Sequence, residues 1–255
     1  MRNEREYMAA CAVKAKGDWA KTAALLKKNQ DMDVRVEEPY ITCLDPCYPE
    51  ELKRLRYPPW VLFYRGDIRL LARPKASIVG SRDMNEEGRA NTILASEILS
   101  SNFVIVSGLA KGVDGMAHFT ALRKGRTIGV IGSGLDIHYP SCNAYLYQKM
   151  EKEHLILSEY PAGTPVEKHH FPWRNRIIAA LGQFLVVTQA ALKSGTMITV
   201  NDAFALGKDV YAFPFGFMED EGRGCGRLIF DGAQIIYEES VLKDLRPLHS
   251  ACKIS

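Results

Sequence analysis

The stretch Ser107-Gly108-Leu109-Ala110-Lys111-Gly112-Val113-Asp114-Gly115-Met116-Ala117-His118 follows the apolar run Phe103-Val104-Ile105-Val106 and leads into a helical segment over 116–123. The short apolar run reads as a buried strand, and Ala117, Ala121 and Leu122 give the following segment one apolar side. A glycine-rich turn between a strand and a helix start leaves backbone N–H groups unpaired at the positive end of the helix dipole. Such a turn suits an anion. Glycines at 108, 112 and 115 allow close approach of backbone to a ligand, although the same glycines also fit a turn that serves packing alone.

The alternation continues on both sides. Apolar runs recur at 76–79, 127–131, 155–157, 184–187 and 210–213, with helical stretches near 86–100, 112–123, 142–152, 173–182 and 196–207. Continuously apolar strands alternating with helices predict an α/β fold, a mostly parallel sheet covered on both faces. Spacings of ~20–30 residues per unit fit right-handed crossovers. A short strand is expected at 60–64, another at 234–237, and a helical turn near 239–245. Residues 1–38 read as a short helical N-terminal segment, with helices near 7–16 and 18–28, too poor in apolar residues for a core of its own. The main domain is expected over 39–246 and a loose tail over 247–255.

Composition narrows the function classes. The 255 residues are 47% hydrophobic and 25% charged, ordinary for a globular protein. No apolar run approaches the ~20 residues that span a bilayer. The N-terminus lacks a signal-peptide core, so a cytoplasmic location is expected. The six cysteines are scattered, and no Cys/His set has zinc-finger spacing. His169-His170 lacks a third ligand at metal spacing, so neither metal nor cofactor is expected. The net charge of +3 permits a nucleic-acid partner, provided that the basic groups converge in one place.

In open α/β sheets ligands sit beyond the carboxyl ends of the strands. The turns found there are Gly80-Ser81-Arg82, the loop from Ser107 through Gly108 and Gly112, Gly132-Ser133-Gly134, the segment from Ser158-Glu159 to Arg176, and Ser194-Gly195-Thr196. Basic groups accompany them at Arg82, Lys111, Lys168, Arg174, Arg176 and Lys193. Glycine, hydroxyl and cation together suit phosphate. Two nucleotide motifs fail: Gly132-Ser133-Gly134 has Ile137 where a dinucleotide fingerprint needs glycine, and Lys111-Gly112-Val113 does not end a Walker A loop. No catalytic constellation stands out. Asp114 and His118 are placed to pair at a helix start, and Glu159 is a candidate partner for Lys168. Lys168, Phe171, Arg174 and Arg176 combine cations with an aromatic ring, the composition of a single-strand site in which cations meet the backbone and a ring stacks on a base. The alternative is that Phe171 and Trp173 are core residues at the start of the helix over 173–182.

These residues resemble the DprA/Smf family of DNA-processing proteins. The resemblance rests on Ile78-Val79-Gly80-Ser81-Arg82, on Val106 to Asp114 with Ala117-His118, on Gly134-Leu135-Asp136, Tyr139-Pro140 and Asn143, and on Ser158-Glu159-Tyr160-Pro161. It continues through Phe171-Pro172, Arg174-Asn175-Arg176-Ile177-Ile178, Ser194-Gly195-Thr196 and Thr199, in collinear order over about 40–237. The resemblance implies an extended Rossmann-like domain that binds single-stranded DNA without sequence preference and without turnover. It also implies a homodimer that protects incoming DNA and helps to load the RecA recombinase in natural transformation. By this resemblance Arg82, Lys168 and Phe171 take the positions that hold the strand; the basic residues beside the strand ends add Lys111 and Arg174 or Arg176 as expected helpers. Gly226 stands where the family usually has asparagine, and members with a winged-helix domain extend further than this sequence. The alternative reading is a nucleotide phosphoribohydrolase of the related superfamily. Such an enzyme needs a carboxylate near the fifth strand, by the logic of glycoside cleavage, and Thr199 occupies that place.

Overall fold

The computed structural model describes residues 3–30 and 32–248. The expected tail over 247–255 lies, from 249 onward, outside the described residues. Two helices come first, α1 (Glu4–Lys14) and α2 (Trp19–Lys28). Asn3 and Asp18 cap them through their side chains, accepting from the N–H groups of Arg5 and Lys21. They do not form a core alone. Met8 and Ala12 pack with Val61, Phe63 and Ile156 of the sheet, and the Trp19 indole donates to Pro58 O at 2.7 Å.

The sheet follows. Its strands are β1 (Tyr40–Thr42), β2 (Val61–Gly66), β3 (Lys75–Val79), β4 (Val104–Ser107), β5 (Thr127–Ile131), β6 (Leu155–Ser158), β7 (Leu185–Val187), β8 (Val210–Ala212) and β9 (Gln234–Ile235). The helices between them are α3 (Glu50–Lys53), α4 (Glu86–Leu99), α5 (Val113–Lys124), α6 (Ala144–Glu153), α7 (His170–Leu181), α8 (Thr196–Ala205) and α9 (Arg223–Phe230), and α10 (Glu239–Lys243) follows β9. Strand order is β1-β2-β6-β5-β4-β3-β7-β8-β9. The seven strands from β6 to β9 run parallel, and β2 and β1 are antiparallel additions at one edge. The chain therefore builds outward from β3 to β6, then returns to add β7, β8 and β9 on the other side. The reversal opens a crevice over the strand ends.

The pleat explains why the strands read as unbroken apolar runs. Ala76 and Ile78 face the layer of α4 and α5, where they meet Ala95, Leu99, Val113 and Ala117. Val79, one step out of phase, faces the opposite layer with Ile178 and Leu181 of α7 and Val200 of α8. Ser77 shares that second face, and its hydroxyl donates to Ile178 O at 2.7 Å. Both faces are covered, so every side chain of β3 to β8 is buried and alternation in polarity disappears there.

Candidate single-strand interface

Three turns at the strand ends are tied to one another by backbone. After β3, Ser81 N donates to Gln189 O at 2.9 Å, which joins the Gly80-Ser81-Arg82 turn to the chain leaving β7. Val113 N, the first helical residue of α5, donates to Ser81 O at 3.0 Å. Gly112 makes that approach possible. Its φ is +71°, and a side chain there would collide with the carbonyls of Ser81 and Arg82. Asn143 Nδ2 donates to Leu109 O and Ala110 O at 3.0 and 2.9 Å, fixing the loop after β4.

Arg174 pins the loops from below. It lies one turn into α7, 3% exposed, and its Nη1 donates to Gly108 O at 2.6 Å and to Val130 O. A Cβ on Gly108 would strike this guanidinium. Asp114 lies buried beside it. Burial pushes the Asp114 carboxyl up and the Arg174 guanidinium down, while their mutual attraction opposes both shifts.

Around this frame lies a crevice of about 1520 Å³, adjoined by a smaller pocket of about 460 Å³. Arg82, Ala110, Tyr139, Phe171 and Arg174 line both. Lys111, Gly108, Gly132 and Ser133 line the smaller pocket, whereas Gly80, Ser81, Lys168, Lys193, Ser194, Gly195 and Thr196 line the larger. The wall between them is stacked. The Arg82 guanidinium sits 5.2 Å from the Phe171 centroid, and the Tyr139 ring lies 5.8 Å from Phe171, tilted by 36°. Among the described residues Arg82, Lys111, Lys168 and Lys193 have no ion-pair partner. All four are exposed.

Several expectations need correction. Arg176 does not reach the crevice. It forms a two-pronged ion pair with Glu159, at 2.6 and 2.7 Å, and is 7% exposed. Glu159 is therefore not the partner of Lys168. Arg174 borders the crevice, but its charge is spent on carbonyl oxygens instead of standing free for phosphate. Asp114 and His118 do not pair, because His118 Nδ1 lies 2.7 Å from Thr127 Oγ1 within the core. Of the turn residues, Ser107 belongs to β4 and its hydroxyl donates to Ile78 O, while Gly112 and Gly134 shape turns without lining either cavity. The helix expected over 173–182 begins at His170, which places Phe171 in its first turn.

Tyr139, Asn175 and Thr199 line the crevice and were not singled out as its walls from sequence. An aromatic beside a proline, shortly after a strand-end Gly-Ser-Gly turn, was the available signal for Tyr139. A third candidate donor also joins His169-His170: ligand atoms of Glu167, His169 and His170 all lie within 4.8 Å of one another.

Fold and crevice together define a Rossmann-like protein with unpaired cations and aromatic rings at its strand ends. Residues 39–246 match the family model described as DNA recombination-mediator protein A. The chain is 43% identical over 199 residues to DNA processing protein DprA of Streptococcus pneumoniae, covering 78% of this chain and 71% of that protein. It is 42% identical over 202 residues to DprA of Bacillus subtilis, covering 78% and 68%. Against protein Smf of Synechocystis, 42% identical, it spans 52% of the relative's length. The solved structure of Streptococcus pneumoniae DprA superposes with a TM-score of 0.81 at 37% identity, covering 90% of this chain and 83% of that one. A Helicobacter pylori DprA structure, described for its single-stranded DNA binding mode, gives 0.73 at 34% identity, covering 82% and 96%. The chain belongs to the DNA recombination-mediator protein A family, the DprA/Smf proteins.

Proposed function

We propose that this protein binds single-stranded DNA without sequence preference and without turnover, with phosphates on Arg82, Lys168 and Lys111 and a base against Phe171. The observation that carries the reading is the conjunction at one crevice of unpaired cations with a half-buried aromatic ledge. Cations neutralise phosphates of any sequence, and a ring offers its face to any base. The single-strand binding described for the Helicobacter pylori relative supports the same reading. Fluorescence anisotropy with labelled oligo-dT tests it: tight binding that falls with salt is expected, and a folded protein that ignores the oligonucleotide would refute it.

The biological role proposed is protection of incoming DNA and help in loading RecA during natural transformation, in the cytoplasm. A RecA pull-down with and without oligo-dT tests the partner. The assembly proposed is a homodimer closed over α9 and the sheet edge at β9. Phe230 of α9 and Tyr237, just after β9, stand exposed there at 82 and 69%, and Gly226 lies on α9 with open space where a side chain would project. A second copy of this face covers such a patch. Sedimentation of the wild type and Phe230→Glu checks this, with a dimer expected for the first and a monomer for the second. The phosphoribohydrolase alternative predicts adenine release from AMP. With Thr199 on the crevice wall where that enzyme needs a carboxylate, none is expected.

A further inference from the structure

A cluster at the crevice rim is left over by the strand-binding account. Glu167, His169 and His170 flank Lys168, and their ligand atoms lie within 4.8 Å of one another. The Glu167 carboxylate is 3.3 Å from His169 Nδ1. The buried member, His170, is already oriented. Its Nδ1 lies 3.0 Å from Gly132 O, where it donates, and its ring stacks on Tyr160 at 3.9 Å between centroids. That leaves Nε2 as the acceptor nitrogen, with no hydrogen bond to any of the described residues. A histidine whose second nitrogen is held by a carbonyl is the arrangement that orients imidazole ligands toward a metal.

We propose that Glu167, His169 and His170 form a binding site for a divalent transition ion of the zinc type, with two imidazoles, one carboxylate and an open position for water. Two nitrogens and an oxygen suit zinc or cobalt better than magnesium or calcium, which take all-oxygen sites. Tetrahedral ligation at Zn–N distances near 2.0–2.1 Å sets donor atoms about 3.3 Å apart. The donors therefore close by about 1.5 Å at most, a movement open to Glu167 and His169, whose side chains are half or more exposed. With the ion in place, Glu167 and His169 on either side of Lys168 are tied to His170, which already bonds the Gly132 turn.

The site does not depend on DNA, so its test contains none. The full chain is titrated with Co2+, following the visible d–d absorption of tetrahedral cobalt, and then with competing Zn2+. One ion per chain is expected, with affinity lowered at least about tenfold in Glu167→Gln and in His169→Ala. Both positions are exposed, and circular dichroism verifies that the variants fold. No saturable uptake, unchanged uptake in both variants, or a sulfur-to-cobalt charge-transfer band that places the ion on cysteine would each overturn the proposal.

Discussion

The Arg82 guanidinium lies 5.2 Å from the centroid of the Phe171 ring, so the turn after β3 and the first turn of α7 meet at one cation–π contact. The contact holds the cation without neutralising it. Arg82 stays available to phosphate, and the ring still lines the crevice. On this account Phe171→Ala lowers affinity for oligo-dT by about 1–3 kcal/mol, the worth of one base–aromatic stack. Arg82→Lys retains charge but loses the planar stack, and falls between wild type and Arg82→Ala. Equal affinity for wild type and Phe171→Ala in anisotropy titrations would remove the stacking role.

Binding through Arg82, Lys111 and Lys168 neutralises about three phosphates. For single strands each contributes about −0.7 to the slope of log affinity against log salt, so a slope near −2 is expected. Lys168→Ala reduces the slope by about 0.7 and weakens binding evenly across homopolymers. A slope unchanged by this substitution would place the phosphate elsewhere.

Arg176 and Glu159 are predicted to matter for stability and not for DNA. Both are buried, and their two-pronged contact leaves an unpaired buried carboxylate when the arginine is removed. Arg176→Met should cost about 3–5 kcal/mol in urea denaturation, and adding Glu159→Leu should recover part of it. The folded Arg176→Met variant binds oligo-dT as the wild type does. A loss of DNA affinity with unchanged stability would reverse the assignment.

His118 sets an acid limit on the fold. Buried in the core, its imidazole is pushed down to about 3, chiefly by desolvation, with the Arg174 charge acting in the same direction. Below pH 6.5 the unfolded chain takes up a proton that the folded chain refuses, so stability falls as pH drops from about 6.5 toward 3. The slope is about 1.4 kcal/mol per pH unit for this one proton. His154, pushed down mainly by burial, adds to the same trend, whereas Asp114, pushed up by burial, opposes it at low pH. Comparing urea midpoints of wild type and His118→Asn across pH isolates the histidine. The variant should show the shallower decline, and parallel curves would contradict the assignment.

The strands were legible because burial on both faces makes them continuously apolar. The run at 127–131 is β5, and the run at 76–79 lies within β3. What escaped had weaker or opposite signals. β1 is only Tyr40–Thr42, and α9 contains Gly224 and Gly226, poor helix formers held by packing of Cys225 and Leu228. The arginines of α7 misled for a different reason. A buried arginine and a solvent-facing one have the same letter, and only the helix phase separates them. With α7 starting at His170, Phe171 and Arg174 share the stripe facing the crevice, while Arg176 turns toward Glu159. Arg174 then lies below Gly108, close enough to bond its carbonyl, so its role is to hold the loops.

The measurement that tests the central claim most directly is anisotropy with labelled oligo-dT and the matching duplex, for wild type and for the double variant Arg82→Glu with Lys168→Glu. Both side chains are exposed, so the variant should fold as the wild type does. Tight single-strand binding, weak duplex binding and loss of both in the variant are predicted. Undiminished single-strand binding by the folded double variant would contradict the crevice as the DNA site.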